Sequence, residues 1–131
     1  MSGERGEKCA ARRAALARLE ARVADALRAP DPTAAFAAIA ADRSLPPSLR
    51  RRVGAASADG VRMAALLVTR LRFERLLRGS PEAEAWFERD ASAFSAAFRR
   101  YHAEVPPTGF FPAAEADLFR KWRAARAGNG R

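Results

Sequence analysis

Three prolines in this chain, Pro32, Pro81 and Pro112, fall where helices are expected to begin. Asp31-Pro32 and Ser80-Pro81 each place a capping oxygen directly before a proline. That order satisfies a first-turn amide and presets φ for the first helical residue. Asp90 repeats the cap without the proline, and Pro112 opens a further helix behind a loop. Between these breaks the chain is rich in the best helix former, with 33 alanines in 131 residues. No segment alternates apolar and polar residues as a half-buried strand does. The expectation is therefore an all-α fold, a compact bundle of about five to seven helices. It is read as a single domain over residues 1–131, with residues 1–8 and 128–131 as frayed tails.

The spacing predicts a first helix over residues 7–29, with Leu16, Leu19, Val23 and Leu27 on one face. Pro30 ends it. A helix from Pro32 to about Ala41 buries Phe36 and Ile39, and a short third helix turns Leu49 and Val53 inward with Arg50, Arg51 and Arg52 between them. The fourth runs from Asp59-Gly60 to Arg78, with Gly79 as its stop. Its first half, residues 61–68, is apolar nearly all round and is expected at the centre of the bundle, so Leu66 should be buried. Further along, Thr69, Phe73, Leu76 and Leu77 share that face, with Arg70, Arg75 and Arg78 opposite. Phe94, Phe98 and Tyr101 form a stripe on a later helix, and Leu118, Phe119 and Trp122 lie on the last. Alanine buries little area, so these few large side chains must make the core.

Several function classes are excluded by what is missing. Cys9 is the single cysteine, so no internal disulfide forms, and a reducing cytoplasm is the expected location. Its place near the N-terminus, without a neighbouring base, does not suit a nucleophile. One histidine, His102, far in sequence from Cys9, leaves no His/Cys metal site. No cofactor or metal is expected. The longest apolar run, residues 63–68, falls well short of the roughly 20 residues of a membrane span, so no membrane partner is expected. The polar N-terminus lacks the apolar core of a signal peptide. No phosphate-binding glycine loop or serine elbow is present. His102 and Glu104 are two apart on a helix and do not face each other, so they make no acid–base pair. Glu82, Glu84, Glu88 and Asp90 sit at helix starts, where solvated acids suit the helix dipole better than a metal does.

Charge is unevenly spread. Of 24 basic residues 22 are arginine, only Lys8 and Lys121 being lysine, against 15 acids for a net +9. Some of that arginine and alanine bias reflects a GC-rich coding sequence. Residues 43–80 carry nine bases and two acids, whereas residues 81–117 carry three bases and seven acids. The basic stretch raises nucleic-acid binding, with Arg50, Arg51, Arg52, Arg70, Arg75 and Arg78 as phosphate contacts. A helix-turn-helix laid on residues 52–69 puts Asp59 where an apolar residue should pack. The aromatic residues gather instead between Phe73 and Trp122, with only Phe36 outside. Phe110 and Phe111 stand in a loop stiffened by Pro106, Pro107 and Pro112. They either plug one end of the bundle or form a ledge for a protein or peptide. Trp122, with Arg123 and Arg126 near it, is a second candidate anchor.

The order Ala26-Leu27-Arg28-Ala29-Pro30-Asp31, then Phe73-Glu74-Arg75-Leu76-Leu77-Arg78-Gly79, then Phe94, Phe98 and Tyr101-His102-Ala103-Glu104-Val105-Pro106-Pro107, and finally Leu118-Phe119 and Trp122, resembles one helical family. It is the DNA-binding-type domain of partner proteins of multinuclear non-haem iron oxidative enzymes, which modify ribosomally made peptides. Ala58-Asp59-Gly60-Val61-Arg62 stands where that family has a stretch containing tyrosine and asparagine. The resemblance spans roughly residues 20–122. It implies an accessory subunit that is not itself the oxidase, pairs with the iron enzyme and helps hold the precursor peptide. The expected function is thus a non-catalytic binding subunit using Phe110, Phe111, Trp122, Arg123 and Arg126, and the alternative is a basic helical nucleic-acid-binding protein.

Overall fold

The computed structural model describes residues 2–129, with side chains from residue 3 onward. Among them the regular elements are helices in the order α1 (Ser2–Leu27), α2 (Pro32–Ala40), α3 (Pro47–Gly54), α4 (Ala58–Gly79), α5 (Pro81–Arg89), α6 (Ala91–Glu104) and α7 (Pro112–Asn129). No strand occurs among the described residues. The all-α expectation holds, and so do its start signals. Asp31 accepts from Ala34 N at 3.1 Å, Ser80 from Ala83 N at 3.0 Å and Asp90 from Ala93 N at 3.1 Å. α1 is helical from Ser2, its side chains exposed through residue 14, and α7 carries Gly128 and Asn129. Met1, Gly130 and Arg131 lie outside the described residues.

The chain divides into two compact units, residues 1–65 and 66–131, with α4 running through the boundary. In the first unit α2 packs on α1 and α3. Its core is small-residued: Ala15, Leu19 and Ala26 of α1 meet Ile39, Leu45, Leu49 and Val53, with Val23 and Phe36 at the margin. Leu16 is exposed, contrary to the expected stripe. The inward register falls one residue earlier, on Ala15, because alanine lets α1 approach its neighbours closely. The carboxylate of Asp42 accepts from Ser44 N at 2.9 Å and Ser44 Oγ at 2.7 Å, and is paired with Arg22. The Ser44 hydroxyl above all holds that carboxyl below the ordinary aspartate range.

The second unit is aromatic. Leu76, Ala83, Phe94, Phe98, Tyr101 and Phe119 are buried, and Phe73, Leu77, Trp86, Phe87 and Trp122 pack around them. Phe73 sits edge-on to Phe87 and Phe94, both at 5.5 Å, and to Phe98 at 5.1 Å. Tyr101 meets Phe119 at 5.0 Å. Such pairs each add about 0.5–1.5 kcal/mol beyond the area they bury. Large rings on α4, α6 and α7 thus bridge these helices.

The central apolar run of α4 is not buried. Leu66 is 63% exposed, and Met63, Leu67 and Leu71 are exposed too. Leu66 lies on the helical face of Phe73, but those aromatics cover α4 only from Phe73 onward. An apolar run shows that a helix tolerates burial, while coverage depends on what packs against it. Gly79 serves α4 in an unexpected way. It has no positive φ, so it is not a left-handed cap. A Cβ there would overlap the backbone carbonyl of Pro112. Glycine lets the end of α4 touch the start of α7.

Candidate functional site

The second unit holds a buried polar cluster beneath the loop of residues 105–111. Thr69, Arg72 and Leu76 recur at helical spacing, so the inner face of α4 carries a guanidinium beside its leucine. Arg72 is 1% exposed and Glu115 0%. Arg72 Nε donates to Glu115 Oε1 at 3.0 Å, and Arg75 donates to the same oxygen through Nε at 3.3 Å and Nη2 at 3.2 Å. The Tyr101 hydroxyl donates to Glu115 Oε2. Burial, then that bond, push the Tyr101 phenol well above the ordinary tyrosine value. The Arg72 guanidinium also lies over the Tyr101 ring, 4.3 Å from its centre.

The same guanidinium fastens the loop. Arg72 Nη1 donates to the Val105 carbonyl at 2.6 Å, and Nη2 to Pro106 O at 3.5 Å. Nη1 also stands 3.3 Å from His102 Nδ1. Arginine only donates, so Nδ1 accepts, and the ring proton sits on Nε2, facing Thr69 Oγ1 at 3.3 Å. His102 stacks on Phe98 at 5.8 Å. It is an edge-of-core histidine locked between helices. With two arginines and a tyrosine already on Glu115, the cluster is arranged to hold shape, with its carboxylate fully engaged.

Above this base stands the ledge. Gly109 is buried, and a Cβ there would come within 2.9 Å of Glu115 N, so only glycine passes under α7 at this point. The next two side chains turn out: Phe110 is 80% exposed and Phe111 74%. Neither plugs a bundle end. Phe110 and Pro112, with Leu71, Glu74, Arg75 and Arg78 of α4, line a notch of about 280 Å³.

Trp122, Arg123 and Arg126 do not join that ledge. Trp122 lies ten residues into α7 beyond Pro112, which at 1.5 Å per residue is about 15 Å along the axis. Trp122 is half-buried against Tyr101 at 5.6 Å and Phe119 at 5.7 Å. Its Nε1 donates to Glu104 Oε2 at 2.6 Å, and Arg126 Nη1 reaches Glu104 Oε1 at 2.9 Å. The indole first, and then Arg126, hold the Glu104 carboxyl below its usual range. Arg123 covers Trp86 at 4.3 Å. These residues clasp α7 to α6 and α5.

The nucleic-acid candidates are divided. Arg50, Arg51 and Arg52 belong to α3 in the first unit, where Arg51 and Arg52 are exposed and Arg50 is half-buried. In the second unit Arg70 pairs with Glu74 at 3.3 Å and Arg75 with Glu115, while Arg78 is exposed at the notch. Glu82, Glu84, Glu88 and Asp90 are all exposed on α5 and at its end. Among the described residues no three His, Cys, Asp or Glu side chains gather as metal ligands, and no helix is long and apolar enough to cross a membrane. Cys9 is exposed on α1.

Sequence reasoning missed Arg72 and Glu115. Arg72 differs from its neighbours only in sharing the face of Thr69 and Leu76, and Glu115 reads as an ordinary first-turn acid of α7. No family model, curated protein or solved structure matches this chain.

Proposed function

We propose that this chain is a non-catalytic binding subunit of the cytoplasm, docking on a partner enzyme and holding a precursor peptide while that enzyme modifies it. The observation that carries the reading is the exposure of Phe110 and Phe111 on a loop braced from below by Arg72 and Gly109. Exposed adjacent aromatics cost solvation, and a stiff loop loses little entropy when it meets a partner. The resemblance to partner proteins of iron-dependent oxidative enzymes suggests the class of that enzyme.

Co-expression with the proteins encoded by neighbouring genes tests it. A complex with an iron oxidase or its peptide should elute together from a sizing column. Replacing Phe110 and Phe111 by serine should weaken it by about 2 kcal/mol or more, roughly thirtyfold in Kd. The helical circular-dichroism signal should be unchanged. A complex that survives the double replacement at full affinity overturns the reading. The rival, nucleic-acid binding, draws on exposed Arg51 and Arg52 and a net charge of +9. It requires a steep salt dependence that Arg51→Ala with Arg52→Ala flattens by about one unit per lost phosphate contact.

A further inference from the structure

We infer that the outer face of α4 beside Phe110 pairs with the same face of a second copy of this chain. The two α4 helices run antiparallel, and Leu67 of each copy enters the notch of the other. This goes beyond the binding reading above. Phe110 belongs to both surfaces, so a second copy covers it while no other partner does.

Area comes first. Leu66, Leu67 and Leu71 lie on the side of α4 turned away from buried Arg72 and Leu76, and are 63%, 53% and 57% exposed. Phe110, 80% exposed, lines the notch together with Leu71. Large apolar side chains carry on the order of 150–200 Å² each, so these four display roughly 450 Å². A symmetric pair buries twice that. The stems of Arg70, Glu74 and Arg78 on the rim carry the total past the roughly 1,000 Å² that a specific interface needs. Shape agrees with area. A closed twofold contact needs one surface that offers both a projection and the recess for it. The notch, at about 280 Å³, is a recess for one side chain, and Leu67 projects one helical turn before it. In an antiparallel pair centred on residue 69, Leu67 of each copy faces Leu71 of the other, at the notch.

The charges around this face are of both signs. Arg70 pairs with Glu74, and Arg75 with Glu115. Arg78 borders both the notch and a neighbouring cleft, where Glu84 and Glu88 stand with Leu77 and Phe87. Three arginines and four glutamates of the second unit thus border the face, in a chain that carries +9 overall. The excess positive charge lies elsewhere, and at physiological salt it is screened beyond about 8 Å. Two copies therefore approach with least repulsion on this face. A nucleic acid or a strongly charged peptide finds no single-signed surface here, whereas a mixed rim meeting its own copy brings opposite charges within reach.

Sedimentation velocity of the full chain tests this, with a reductant present so that exposed Cys9 does not crosslink copies. The chain should pass from monomer to dimer with a midpoint near roughly 10⁻⁵ M, as suits an interface at the small end of the range. Urea melts at about 10⁻⁶ M chain then read the single copy. Leu67→Glu and Leu71→Lys should each weaken pairing at least about tenfold, with the circular-dichroism signal intact. Mixing the two variants should restore a dimer to within about threefold of the original. The mixed pair sets the new carboxylate against the new ammonium and leaves Leu71 of one copy on Leu67 of the other. A chain that stays monomeric at about 10⁻⁴ M overturns the inference, as do species that grow past the dimer. Pairing unmoved by both variants, or variants that fail to recover on mixing, also overturns it. A monomeric chain that loses a co-expressed partner enzyme in Leu67→Glu overturns it in favour of a different protein on this face. The binding reading is judged separately. If serine at Phe110 and Phe111 breaks the protein complex while the chain alone never dimerises, that reading stands and self-pairing fails.

Discussion

Arg72→Leu should unfold the aromatic unit at much lower denaturant. The leucine nearly fills the space of the arginine stem, so the loss is chiefly electrostatic. Glu115, fully buried, would keep Arg75 and Tyr101 but lose the 3.0 Å bond to Arg72. The Val105 carbonyl would lose its 2.6 Å donor. Breaking a buried pair costs about 3–5 kcal/mol, because the remaining charge is left poorly solvated. At a urea slope of about 2 kcal/mol/M, the midpoint falls by about 1.5–2.5 M. The assay is specific, since both tryptophans, Trp86 and Trp122, lie in this unit and their fluorescence reports its unfolding. Glu115→Leu should cost a similar amount. The pair replaced together should cost less than the two single losses added, by about 1 kcal/mol or more, because neither buried charge is then stranded. Single losses that add within about 0.5 kcal/mol would refute the reasoning, and so would an unchanged midpoint in Arg72→Leu.

Gly79→Ala should destabilise the same unit by about 1–3 kcal/mol or more in a urea melt, since its Cβ meets backbone rather than a side chain that can turn away. Leu66→Ala should change the urea midpoint by less than about 0.5 kcal/mol in free-energy terms, as for an exposed position. Tyr101 is the single tyrosine, so phenolate absorbance reports it alone. Its raised value means that the neutral phenol stabilises the fold below the ordinary tyrosine range, and that this contribution is lost as pH climbs toward the folded value. Native protein held about one unit above the ordinary value near 10 should show little phenolate, which should appear together with loss of helical signal.

Local chemistry was the legible part of this chain. Asp31, Ser80 and Asp90 cap helices because a short oxygen-bearing side chain before a helix has one obvious partner, the amide three residues on. The stripe of Phe94, Phe98 and Tyr101 was legible because periodicity is a property of one helix. Leu66 was not, because burial is a property of neighbours. Arg72 and Glu115 escaped for a related reason. Each looks solvated beside its own sequence neighbours, and only the crossing of α4, α6 and α7 makes them each other's solvent. In the candidate site, Phe110 and Phe111 were identifiable from the stiff loop around them. The residues of α4 that line the notch, Leu71 and Arg78, lie some thirty to forty residues before Phe110, at a separation that no spacing rule connects.

The bracing of the loop also bears on how such a surface can diversify. Its path is set by groups that are not displayed: Arg72 at the entrance, Gly109 beneath α7, and the meeting of Gly79 with Pro112 at the exit. Thr108, Phe110 and Phe111 face outward from that frame. Substitutions at those three positions act on few buried contacts, so they carry little penalty in folding, whereas changes in the frame are penalised at once. Selection can therefore exchange the displayed side chains rapidly while the frame stays fixed, and one scaffold can change its outer surface without being rebuilt.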